Sequence, residues 1–394
     1  MNPEPASFDF SSPTARTLRA RQGIKWNLHP EDVLPLWVAE MDFATAPVIV
    51  DELHRAVQEE SFGYASPRQP ALAAALAEFS AARYDWSFEP EAMRILPEVL
   101  TGVRWGIDAF SKPGSAVILP VPAYMPFFEL VRSMGREIIE VRFIEAGGRW
   151  VLDLAGVEQA LRAGAGTLLL TNPHNPLGKT FSSAESAAIA GLVDRYGARV
   201  VSDEIHGPLT YDRVHVPYAS VNDTAFAHTL TLVSTSKAWN LPGLCAAQAI
   251  VGSAADRTAW DAWTLGETHG VSPLGVRAST AAYRNGVPWL DGLLGQLRTN
   301  RQFLFERLAE VPGLQAITPE ATYLAWLDFT EVELGARYQA GEGPASYFLR
   351  EAKLAFVPGS SCGADSLNCL RLNFGTTPGI LEQAMDAMLA ALPA

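Results

Sequence analysis

The spacing of apolar positions changes along this chain, and the change predicts its architecture. Residues 48–60 carry apolar side chains at helical spacing, and residues 70–83 are an alanine-rich stretch of the same period. Residues 116–119 are uninterrupted apolar positions ending at Pro120, the pattern of a buried strand. Further β-rich runs follow at Thr167–Thr171, 198–201 and Thr229–Val233. Between the first two of these, Ser182 and Glu185 have the spacing of a capping box, which predicts a helix to about Tyr196. Such alternation from about residue 46 to residue 282 requires a mostly parallel sheet with crossover helices. Beyond 282 the texture shifts. A long helix is expected over 289–311, stopped by Pro312-Gly313, with short strands at 325–328 and 369–374 and helices near 345–352 and 380–392.

Candidate chemistry lies where the three runs end. They lead into Asn172-Pro173-His174-Asn175-Pro176-Leu177-Gly178, Ser202-Asp203-Glu204-Ile205-His206 and Ser234-Thr235-Ser236-Lys237. Parallel sheets place ligand sites at such strand ends. In order they offer an amide, a carboxylate and a lysine, the groups needed to hold and use a pyridine-aldehyde cofactor. Lys237 could condense with the aldehyde and then act as base, provided burial lowers its pKa enough to leave a neutral amine. A solvated surface lysine is the alternative. Asp203 could pair with a protonated pyridine nitrogen or cap a helix. Asn175, held in a proline-flanked loop, could donate to the ring's phenolic oxygen or simply shape a turn. Ser234 and Ser236 are either phosphate contacts or turn hydroxyls. Val99 and Leu100 open an apolar helix whose first amides suit a phosphate. Arg371 lies in an otherwise apolar strand, where an unpaired guanidinium is costly. A substrate α-carboxylate or a buried ion pair would satisfy it.

With these segments in hand, residues 37–375 resemble a fold-type I pyridoxal-phosphate (PLP) enzyme of the class I/II aminotransferase superfamily. Leu36-Trp37-Val38-Ala39-Glu40-Met41-Asp42-Phe43 resembles the signature of its MalY/PatB-type carbon–sulfur β-lyases, the cystathionine β-lyases. Phe62-Gly63-Tyr64, the Asp203-Glu204-Ile205-His206 segment and Leu370-Arg371-Leu372-Asn373-Phe374 point the same way. The resemblance implies an α/β fold with a large domain, 46–282, built on the mostly parallel sheet. It also implies a smaller α+β domain formed by 1–45 and 283–394. PLP is the implied cofactor, with Tyr124 stacked on its ring and His206 near it, although a packed core tyrosine and a structural histidine are the plainer readings. Tyr64 would cross a homodimer interface to the neighbouring subunit's phosphate, or else be a surface turn residue. The implied reaction is α,β-elimination of sulfur amino acids, taking cystathionine to homocysteine, pyruvate and ammonia. An aminotransferase would use the same residues. A regulatory protein that binds a transcription factor is the reading from another class.

Composition narrows the setting. With 48% apolar and 19% charged residues, the chain has the balance of a soluble globular protein. A net charge of −13 argues against nucleic acid and anionic membranes as partners. No charge-free apolar run is long enough to span a bilayer, and no secretory signal is visible, so a cytoplasmic location is expected. Cys245, Cys362 and Cys369 are too few and too irregular for a disulfide framework or a zinc site.

Overall fold

The computed structural model describes residues 8–263, 269–339 and 341–393. Its centre is an eight-stranded sheet of β2 (Met93–Leu96), β3 (Val117–Val121), β4 (Ile138–Glu145), β5 (Trp150–Leu152), β6 (Thr167–Thr171), β7 (Arg199–Asp203), β8 (Thr229–Val233) and β9 (Ala247–Val251). A short strand, β1 (Leu34–Pro35), precedes them in the chain. The spatial order is β2-β9-β8-β7-β6-β3-β4-β5. The inner run from β8 to β4 is parallel, and β2, β9 and β5 pair antiparallel. Register then fixes the site. Thr171 lies opposite Asp203, and Asp203 opposite Leu232, so three neighbouring strands end side by side.

Helices cover both faces of the sheet, so β3, β6 and β9 are buried along their whole length and β7 and β8 at four of five positions. The helix Val99–Phe110 rests directly on β7 and β8. A Cβ on Gly102 would come within 2.5 Å of the Leu232 side chain, and one on Gly106 within 2.8 Å of Leu230 and Val201. Glycine at these two points lets the helix sit close enough for its first turn to lie over the strand ends. On the other face, the helix Ser183–Arg195 starts with the expected capping box between Ser182 and Glu185.

The C-terminal part forms a second layer. β10 (Gln315–Ala316), β11 (Leu324–Asp328), β13 (Val357–Pro358) and β14 (Cys369–Asn373) make an antiparallel sheet, while β12 (Leu354–Ala355) pairs with β1. One apolar cluster runs from Phe10 and Leu36 through Trp239, Trp289 and Leu297 to Phe374 and Met388, so both ends of the chain share a core with the middle.

Two expectations shift. Pro120 does not end its strand; β3 continues through it to Val121. Pairing with β6 stops at Ile118, so the missing proline N–H breaks no ladder bond. The long helix spans Val287–Leu308, not 289–311, because Pro288 fits the first helical turn and adds residues at the start.

Candidate active site

Lys237 sits in the short helix Thr235–Ala238, which begins where β8 ends. Ser234 caps that turn: its hydroxyl accepts from the Ser236 amide at 3.1 Å and donates to the Ala246 carbonyl at 2.8 Å. In this structure the Ser234 hydroxyl proton is therefore given to a backbone carbonyl. Ser236, half-buried, makes no side-chain hydrogen bond among the described residues. Lys237 Nζ donates to the Ala39 carbonyl at 2.8 Å. Burial, then the nearby Arg371 charge, lower its pKa to about 8, against the opposing pull of Glu40 and Asp203. A usable fraction of neutral amine follows near neutral pH.

Asp203 is buried at the end of β7, and its Oδ1 accepts from the Ile205 amide at 3.1 Å. Burial pushes its pKa up to about 7, despite that amide and Lys237. Among the described residues no cation forms an ion pair with this carboxyl, and the Lys237 charge offsets its burial only in part. The neighbouring Glu204 is satisfied instead by the Ser202 hydroxyl, the Tyr218 amide and His215 Nε2, at 2.8–2.9 Å. His206 is buried, and burial followed by Lys237 and Arg371 keeps its imidazole neutral, with Nδ1 unpartnered.

A pH test isolates Asp203. A folded-state pKa above the ordinary 3.8 means that Asp203 by itself costs the cofactor-free protein stability as pH rises from about 4 to about 7, against the opposite contributions of the depressed His174, His206 and His228. Asp203→Asn should flatten that slope, gaining on the order of a few kcal/mol relative to wild type above pH 7. Urea unfolding of both cofactor-free proteins across this range checks it. Parallel curves would show that Asp203 is not a buried, uncompensated acid.

Arg371 lies in the middle of β14, 2% exposed. Nη1 donates to Asn175 Oδ1 at 2.9 Å and Nη2 to the Trp37 carbonyl at 2.7 Å, while Nε is buried without a partner. Among the described residues no carboxylate pairs with it, so the buried-ion-pair alternative is not realised there. Tyr124 is half-buried, edge-on to Phe127 at 5.3 Å. Its hydroxyl pKa is raised, chiefly by burial, and it feels both Arg371 and Asp203. Val99 and Leu100 are the first residues of the helix Val99–Phe110, where no side chain caps the free amides. Tyr64 stands apart. It is 90% exposed and lines a groove of about 1150 Å³ with Pro67, Trp260, Trp263 and His269, away from the other candidates.

The sequence reading missed what holds these side chains in place. Residues 37–41 form a strap whose five consecutive carbonyls all accept side-chain bonds from distant elements. Trp37 accepts from Arg371, Val38 from Asn373, Ala39 from Lys237 and Tyr323, Glu40 from Lys25 and Asn373, and Met41 from Asn240. Below it, the buried Asp42 takes Lys25 Nζ at 2.8 Å and Trp26 Nε1 at 2.7 Å. The one available signal was Asn373, a polar residue in an apolar strand two positions from Arg371.

A family model for aminotransferases of class I and II matches residues 31–388. The chain belongs to this family. It is 38% identical to the cystathionine beta-lyase of Corynebacterium glutamicum, over 96% of this chain and 99% of that one. With the cystathionine beta-lyase PatB of Bacillus subtilis it shares 32% identity, over 94% and 97%. A solved structure of a putative PLP-dependent beta-cystathionase from Corynebacterium diphtheriae superposes with a TM-score of 0.90 at 40% identity, covering 98% of this chain and 99% of that one.

Proposed function

We propose that this family member is a PLP-dependent carbon–sulfur lyase, eliminating a β-thiolate from sulfur amino acids such as cystathionine. The observation that carries the reading is the unpaired buried guanidinium of Arg371, bonded to Asn175 and electrostatically coupled to Lys237. An anionic amino-acid headgroup is what such a site lacks. The full-length likeness to cystathionine beta-lyases favours elimination over transamination.

The donor set also fits the cofactor. Asp203 offers a buried acid in need of a cation, and the uncapped amides at Val99 and Leu100, with the Ser236 hydroxyl, offer donors to a phosphate. Because Arg371 occupies Asn175 Oδ1, the Asn175 amide NH₂ is turned outward to donate to a ring oxygen. Tyr124 supplies a face for stacking, and the neutral His206 supplies a nitrogen unpartnered among the described residues. PLP, when bound, supplies an electron-withdrawing ring that stabilises negative charge at the substrate α-carbon.

Arg371 then grips the α-carboxylate and sets the angle at which the α-hydrogen faces Lys237. Lys237, the residue that would hold the cofactor, would take that proton at Nζ as a neutral amine. Loss of the thiolate leaves an unsaturated amine that hydrolyses to pyruvate and ammonia; with cystathionine the thiol is homocysteine.

The domain division at 46–282, against 1–45 with 283–394, belongs to the same proposal, as do a homodimer with Tyr64 reaching across it and a cytoplasmic location. No helix among the described residues is long and apolar enough to cross a membrane. The exposed Tyr64 on an apolar groove is what a crossing residue looks like in one subunit alone.

Purified protein loaded with PLP and given L-cystathionine should release pyruvate, ammonia and homocysteine without any keto acid. Pyruvate formed only when a keto acid is supplied would replace this reading with the aminotransferase.

A further inference from the structure

Two side chains share the Ala39 carbonyl. Lys237 Nζ donates to it at 2.8 Å and Tyr323 Oη at 2.9 Å. A carbonyl oxygen has two lone pairs, so this one is filled from both sides. Tyr323 is fully buried, and its ring meets the His206 ring edge-on at 5.8 Å. Burial drives its hydroxyl pKa far upward, so it is a permanent donor and not a titrating base.

The backbone that delivers Tyr323 is strained. Thr322, a β-branched residue, has φ of +69°, a region such residues rarely enter. Its neighbours over-determine it. The Thr322 amide donates to Leu209 O at 2.8 Å, its carbonyl accepts from the Tyr211 hydroxyl, and its own hydroxyl accepts from the Leu324 amide at 3.1 Å. Phe374 N then holds the Tyr323 carbonyl at 2.9 Å. On the far side, a Cβ at Gly375 would press to 3.1 Å from the Tyr323 ring and 2.8 Å from Met41. Strain held this firmly, ending beside a reactive lysine, marks a functional placement.

We propose that Tyr323 is a positioning residue for Lys237, its hydroxyl filling one lone pair of the Ala39 carbonyl so that the amine is confined to the other. Asn373 fixes the flanking Val38 and Glu40 carbonyls, so the Ala39 peptide cannot swing away. By drawing on the same oxygen, Tyr323 also weakens its hold on the ammonium form. The other groups that bear on the amine are Asp203, Glu40, Arg371 and the neutral His206. This inference rests on Lys237 being the reactive amine of the proposed site.

Tyr323→Phe keeps the buried ring and removes only the hydroxyl. The cofactor-free protein is labelled with an amine-acylating reagent across a pH series, and the peptide carrying Lys237 is quantified. In wild type, half-maximal labelling is expected near the pKa of about 8. In Tyr323→Phe the midpoint should move up by roughly half a unit or more. In the PLP-loaded enzyme the variant should lose about tenfold in kcat near neutral pH with little change in KM, and recover toward wild type as pH rises. A wild-type midpoint near 8 with an unmoved variant midpoint overturns this inference alone. A wild-type midpoint near the ordinary lysine value of 10.5 overturns both the inference and the active-site reading beneath it.

Discussion

Lys237→Ala should lose turnover of L-cystathionine by several orders of magnitude while still binding PLP without a covalent bond. The size of the loss follows from one amine serving twice, as the group that holds the cofactor and as the base at the α-carbon. Nothing nearby can stand in for it. Arg371 is a permanent cation, the buried Tyr323 hydroxyl does not ionise at working pH, and His206 donates or accepts only as a neutral ring. In wild type, borohydride should attach the pyridoxyl group to the peptide containing Lys237; attachment elsewhere, or none, would defeat the assignment. The variant also tests assembly. If Tyr64 acts across a dimer interface, mixed dimers of Lys237→Ala and Tyr64→Phe subunits contain one site with both residues intact, and activity should return in part. Verified hybrids without recovery would place the Tyr64 contact within its own chain.

Arg371→Lys should lower kcat/KM by about 2–4 kcal/mol equivalent, although the charge is kept. The guanidinium already holds the Asn175 amide oxygen and the Trp37 carbonyl, and it still has Nε to offer a carboxylate. An ammonium at the end of a flexible stem cannot meet three acceptors in one plane. Asn175 would lose the bond that orients its amide, so cofactor and substrate would both be held less well. Buried charge without its fork is the worse arrangement, since desolvation is undiminished and the compensating bonds are fewer. Steady-state kinetics with L-cystathionine decide the point. A change of less than threefold would show that the α-carboxylate is bound elsewhere.

Much of this site could be read before the fold was known, because its main parts are local. Asn175, Asp203 and Lys237 each follow a strand that announces itself by apolar runs and β-branched residues, and parallel strands align their ends. The capping box at Ser182 is an equally local device. Arg371 stood out because a charge inside an apolar strand demands a partner. What failed were readings that depended on neighbours in space. Pro120 passes as an ordinary strand residue only because β6 has already stopped pairing there. For Ser234 the sequence left two readings open, and its bond to the Ala246 carbonyl is set by how β8 meets β9.

The sequence by itself determined the strand ends, the chemistry of the groups placed on them and the demand for an anion at Arg371. Tertiary structure alone decided where Lys237 rests, since Ala39 lies 198 positions away. It also decided that Tyr323, indistinguishable in sequence from a packing tyrosine, shares that acceptor. The reason is physical: every backbone carbonyl is chemically the same, and only the path of the folded chain selects which of them faces an amine.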